Sequence, residues 1–77
     1  MENTVLEILE DICGTDEFKE DLDINLFDVG LLDSLGSIEI LLELEERLGI
    51  KLQPTELERS DIETPNNLIA FLKKKGF

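Results

Sequence analysis

One serine, one cysteine and a set of closely spaced acids are the residues of this chain that could do chemistry. The sequence has no histidine among its 77 residues. Imidazole therefore cannot activate a serine or a thiol, and a Ser-His or Cys-His nucleophile is excluded. Cys/His metal sites are excluded with it. The single cysteine, Cys13, has no partner for an internal disulfide and no activating neighbour, so it reads as a small buried hydrophobe. Gly30 and Gly36 fit no P-loop or dinucleotide spacing. Asp21, Asp23 and Asn25 alternate as at the start of an EF-hand loop, but position six is Leu26 instead of Gly and position twelve is Leu32 instead of Glu. Ser34 remains. It follows Leu32-Asp33 where a helix should begin. On spacing alone a serine there reads first as an N-cap; it is also well placed to carry a phosphate ester, whose charge the positive end of a helix tolerates.

The elements that must position Ser34 follow from periodicity. Residues 3–13 predict a first helix capped by Asn3 or Thr4, with Val5, Leu6, Ile8, Leu9, Ile12 and Cys13 inside an arc of roughly 160°. Gly14 stops it. A long connection, Thr15 to Asp33, carries apolar anchors at Phe18, Leu22, Ile24, Leu26, Phe27 and Leu31. The second helix runs from about Ser34 to about Leu48, with Gly49 just past its end. On a wheel with Ser34 at zero, Ile40, Leu41, Leu44 and Leu48 fall between roughly 240° and 340°, a core stripe. Leu35, Ile38 and Leu42 fall between roughly 40° and 100°, a second stripe on the side of Ser34. Glu39, Glu43 and Glu46 border it on one side and Glu45 on the other. Either the long connection covers this second stripe or the helix lends it to another protein. Pro54–Glu58 suits a short helix, and Thr64-Pro65 caps and opens a last helix that reaches Lys75. The expected fold is all-α: a small four-helix bundle, three main helices and one short one, with a long first loop and a single domain over residues 1–77.

Charge narrows the partners. Nineteen acidic residues against seven basic ones give a net charge of -12. Such a chain is repelled by nucleic acid and anionic membrane surfaces and is steered towards basic protein patches. No long apolar run is present for insertion into a bilayer, no basic leader segment opens the chain, and a lone cysteine suits a reducing compartment. A monomeric cytoplasmic protein is expected, and a small helical domain of this kind offers little concave surface for an enzyme.

The stretch Asp33-Ser34-Leu35 after Gly30, followed by Glu39, Leu42 and Glu45, resembles the attachment motif of the acyl and peptidyl carrier proteins. Helix order and the long first loop extend the resemblance over essentially the whole chain. Within that superfamily, three segments resemble the D-alanyl carrier family of Gram-positive teichoic acid D-alanylation: Leu26 to Ser34, Pro54-Thr55-Glu56 and Thr64 to Ile69. The resemblance implies 4′-phosphopantetheine on Ser34, placed there by a phosphopantetheinyl transferase that also contacts Asp33. It implies a D-alanine–carrier protein ligase that loads the arm as a thioester. It further implies a membrane O-acyltransferase system that takes D-alanine on towards lipoteichoic and wall teichoic acids. Leu35, Ile38 and Leu42 correspond to the docking face, with Glu39 and Glu45 steering basic partners. The carrier would be a protein substrate, not an enzyme. A fatty-acyl or other aminoacyl or peptidyl cargo is the alternative within the superfamily. A small calcium-binding protein or an unmodified helical adaptor is the alternative outside it.

Overall fold

Three longer helices fold around one apolar core, and the connections between them supply a share of that core as well. The computed structural model describes all residues, 1–77: α1 (Glu2–Cys13), α2 (Ser34–Leu48), a short α3 (Arg59–Ile62) and α4 (Pro65–Lys74). Single 3₁₀ turns lie at Glu17–Glu20 and Pro54–Glu56. No strand is present, and the fold is the expected all-α bundle. Two expectations are corrected. Helix α1 starts at Glu2 with Met1 at its cap position and no side-chain cap, so Asn3 and Thr4 lie inside it. The short helix is Arg59–Ile62, not Pro54–Glu58. The proline segment forms only a 3₁₀ turn, in which the Gln53 N–H donates to the Glu56 carboxylate at 2.8 Å. Helix α3 then starts on the same device, with the Glu58 N–H donating to the Asp61 carboxylate at 3.0 Å.

The predicted apolar arcs are buried at their centres and graded at their edges. Val5, Ile8 and Leu9 of α1 are buried, while Leu6, Ile12 and Cys13 pack against the core half-covered. In α2, Ile40 and Leu44 are buried, and Leu41 and Leu48 lie at the margin. The sequence pattern did not mark Gly36, which is also buried. A Cβ built on it would stand 2.6 Å from a terminal methyl of Leu32 and 3.4 Å from Ile12. Glycine lets α2 approach both. Gly36→Ala should therefore lose stability although alanine is the better helix former. Overpacking of about 1–3 kcal/mol outweighs a propensity gain of about 1 kcal/mol. A urea midpoint no lower than that of the wild type would contradict the close approach.

Helix α4 is opened by Thr64, whose Oγ1 accepts the Asn67 N–H at 3.0 Å, with Pro65 in the first turn as the sequence predicts. Leu68, Ile69 and Leu72 complete the core from this side. Ion pairs tie the helices together at the surface. Arg47 reaches Asp11 of α1 and holds Glu43 at 2.7 Å. Lys73 of α4 pairs with Glu2 of α1 at 2.7 Å, and its hydrogen bond and charge lower the Glu2 pKa below the usual glutamate value. That tie is complete above the ordinary glutamate pKa and is lost as pH falls through the lowered one.

The long connection is built into the core. Phe18, Leu26 and Leu32 are buried, and Leu22, Ile24, Phe27 and Leu31 pack against them. The Leu26 carbonyl accepts the N–H groups of Leu31 and Leu32 at 2.9 and 3.1 Å, and its own N–H donates to the Glu63 carbonyl at 2.7 Å. The Asn66 N–H donates to the Leu22 carbonyl at 3.0 Å, and Asn66 Nδ2 to Asp23 at 2.7 Å. These bonds fasten the connection to the segment that enters α4. They also account for the acid spacing that resembles a calcium loop. Asp21 accepts the Asp23 N–H, Asp23 accepts from Asn66, and Asn25 accepts the N–H groups of Phe27 and Asp28. Each of the three side chains shapes a turn or ties the loop down.

Candidate functional site

The start of α2 divides capping from chemistry between two adjacent residues. Asp33, in extended backbone conformation, is the N-cap, and its carboxylate accepts the Gly36 N–H at 2.8 Å. Ser34 is the first helical residue, exposed, and its hydroxyl has no hydrogen-bond partner within the chain. The capping role that a serine could have filled here belongs to Asp33. Of the other two serines, Ser37 donates its hydroxyl to the Asp33 carbonyl at 3.2 Å, and Ser60 lies away on α3. The N–H groups of Ser34 and Leu35 precede the first intrahelical bonds and have no acceptor. A free hydroxyl next to two free N–H groups at the positive end of a 15-residue helix is suited to carrying an anionic ester.

Asp33 can be tested separately from Ser34. Asp33→Ala should destabilise the fold by about 0.5–2 kcal/mol through the lost cap, whereas Asp33→Asn keeps an acceptor oxygen and should stay near the wild type. Equal urea midpoints for the two variants would remove the capping role.

The second stripe of α2 is open to solvent. Leu35 is 70% exposed, Ile38 53% and Leu42 59%, and the long connection leaves them uncovered. Glu39 and Glu45 are exposed beside them. Glu43, which the wheel places on the rim, turns instead to Arg47. Val29, in the loop that leads to Ser34, is half-exposed and extends the set of uncovered apolar side chains. Sequence periodicity could not reach Val29, since it lies outside any helix.

Two clefts flank the start of α2. One, of about 250 Å³, runs beside Gly30, Asp33, Leu35 and Glu39. The other, of about 300 Å³, begins at Ser34 and is walled by Phe27, Ile38, Leu41, Leu57 and Arg59. Phe27, Leu57 and Arg59 went unmarked as site residues in the sequence because they come from different connections. The one signal available was an isolated arginine in an acidic stretch, Glu56 to Glu63. Cys13 lies outside both clefts, half-buried, and burial raises its thiol pKa, which keeps the thiol protonated and inert.

A family model described as "Phosphopantetheine attachment site" matches residues 3–72. The chain is 48% identical over 75 residues to the D-alanyl carrier protein of Abiotrophia defectiva, covering 97% of this chain and 95% of that one. It is 47% identical over 70 residues to the D-alanyl carrier protein of Lacticaseibacillus casei (strain BL23), covering 91% and 86%. It is 51% identical over 67 residues to D-alanyl carrier protein 2 of Lactiplantibacillus plantarum, covering 87% and 82%. The chain belongs to the D-alanyl carrier protein family. Members carry phosphopantetheine covalently on a serine and are carriers rather than catalysts. The start of α2 fits that group: it offers an exposed, uncommitted hydroxyl, free N–H donors for phosphate oxygens, and open space on both sides. No helix is long and apolar enough to cross a membrane.

Proposed function

We propose that residues 1–77 form a single carrier domain that bears 4′-phosphopantetheine on Ser34, holds activated D-alanine and delivers it for D-alanylation of lipoteichoic and wall teichoic acids. The observation that carries the reading is the free hydroxyl of Ser34 at the first position of α2, with capping assigned to Asp33. The family match and the names of the relatives support the cargo. When bound, the group supplies a terminal thiol on a long arm that takes an acyl group as a thioester and reaches into other enzymes' active sites. The residues of this chain supply position and recognition. Asp33 fixes the first turn of α2 and stands beside the serine for transferase contact. Leu35, Ile38 and Leu42 give partners an apolar strip, and Glu39 and Glu45 attract their basic surfaces, so association should be fast and salt-sensitive.

The partners of this reading are a phosphopantetheinyl transferase, a D-alanine–carrier protein ligase and a membrane O-acyltransferase system. The chain is a protein substrate of all three and works as a cytoplasmic monomer that inserts into no membrane and binds no nucleic acid. The test is intact mass. Incubation with coenzyme A and a phosphopantetheinyl transferase should add one phosphopantetheine. Addition of ATP, D-alanine and the ligase should then add one alanyl group. A chain that accepts the arm but only fatty-acyl groups, and never D-alanine, would replace the cargo.

The charge that steers partners also strains the fold. With a net charge of -12, self-repulsion lowers stability at low ionic strength. The melting temperature should rise on adding salt or magnesium. A flat response from low to physiological ionic strength would count against this.

A further inference from the structure

Seven cations are distributed among nineteen carboxylates, and four of them, Lys19, Arg47, Lys73 and Lys75, pair with acids. Arg59 pairs with none. Its neighbours in sequence include Glu56, Glu58, Asp61 and Glu63, yet its guanidinium lies over the Phe27 ring, 4.3 Å from the centroid. Arg59, Phe27 and Ser34 line the same cleft. Stacking engages the flat face of a guanidinium and leaves its in-plane N–H groups free. Those N–H groups form the fork that binds phosphate oxygens in pairs.

The backbone around the pair is fixed from both sides. Leu26, next to Phe27, donates to the Glu63 carbonyl at 2.7 Å. Ser60, next to Arg59, accepts from Asn67 Nδ2 at 3.0 Å. Phe27 and Arg59 therefore stand on two segments of backbone joined to each other and to α4.

We propose that Arg59 is a positioning residue for the phosphodiester on Ser34. The guanidinium, stacked on Phe27, binds the phosphate oxygens and directs the first part of the arm into the cleft walled by Ile38, Leu41 and Leu57. The inference rests on the Ser34 reading. It adds that this chain, and not only its partners, holds the arm. A partner enzyme must then draw the arm away from Arg59 before the arm can enter an active site.

The experiment compares apo and holo forms of the wild type, Arg59→Gln and Arg59→Lys, each verified by intact mass. The readouts are the phosphorus resonance of the phosphodiester and the side-chain Nε–H resonance of arginine. In the wild type, conversion to the holo form should shift the Arg59 Nε–H signal. The Arg59→Gln holo protein should show a displaced phosphorus signal and lose the contacts between the arm and Leu41 and Leu57. Arg59→Lys should fall between, because it keeps charge without the fork. Raising salt to about 0.5 M should move the wild-type phosphorus signal towards that of Arg59→Gln, since ionic screening weakens the contact. Full mass gain with an unmoved Nε–H signal and the same phosphorus signal in Arg59→Gln overturns the Arg59 role and leaves Ser34 standing. That role is overturned equally if Arg59→Gln alters only the apo spectrum around Phe27. No mass gain at all overturns the Ser34 reading, and the role of Arg59 falls with it.

Discussion

Ser34→Ala should gain no mass on incubation with coenzyme A and a phosphopantetheinyl transferase, while its melting temperature stays within about 2–4 °C of the wild type. Loss of modification should be complete, because Ser37 and Ser60 offer no equivalent hydroxyl. Ser37 is bonded to the Asp33 carbonyl, and Ser60 lies on α3, outside the clefts that flank the start of α2. Stability should hardly change because Ser34 makes no side-chain bond and the cap is Asp33. Surface substitutions away from caps and core lie within about 0.5 kcal/mol. The two outcomes are informative as a pair. A serine acting as cap would lose stability on replacement, and an attachment serine that caps nothing loses only its modification. Equal mass gain in Ser34→Ala and wild type would sink the carrier reading at this residue.

Phe18→Ala should remove a large share of the whole stability. Phe18 lies in the 3₁₀ turn after α1, in what the sequence presents as loop, yet it is fully buried and is the largest of the fully buried side chains. Truncating a buried phenylalanine costs about 3–5 kcal/mol in lost transfer energy and residual cavity. A domain of this size has on the order of 4–12 kcal/mol to lose. The variant should unfold at a much lower urea concentration, and it should also lose the ordered approach to Ser34, because the connection is held down by this ring together with Leu26 and Leu32. A loss below about 1 kcal/mol would mean that the connection is an appendage and that the three helices suffice without it.

What the sequence made legible was whatever repeats with helical period. The two stripes of α2 were readable because residues three and four apart share a face, and the structure buries Ile40 and Leu44 while leaving Leu35, Ile38 and Leu42 open. Gly49 marked the end of α2, where its φ of 68° lets its N–H reach the Glu45 carbonyl at 3.0 Å. Three things were not legible. The cap could have been Asp33 or Ser34, since either side chain can do it and only the backbone register decides. The burial of Gly36 depends on Leu32, which the pattern could not pair with a helix it precedes. The cleft at Ser34 is assembled from Phe27 and Leu57, which lie outside the helices, and from Arg59, the first residue of an α3 too short to show a period. Contacts between connections are set by tertiary closure, and local sequence carries little record of them.

The double hydrogen bond at the Leu26 carbonyl has a consequence for how the chain tolerates changes in length. Because Leu31 and Leu32 return to Leu26, and Leu26 is fastened to Glu63, the location of Ser34 is set from Leu26 onward and not from the end of α1. An insertion among the exposed residues after Lys19 lengthens a loop that is already closed, at an entropic cost of only about 0.6 kcal/mol per doubling of its length. The attachment residue would stay in place. A single residue added between Leu26 and Asp33 would instead shift the cap, the serine and the first turn of α2 together. Length can thus vary only at the exposed Glu20 and Asp21, between the anchors Phe18 and Leu22, and the second half acts as a gauge that fixes where the cargo leaves the fold.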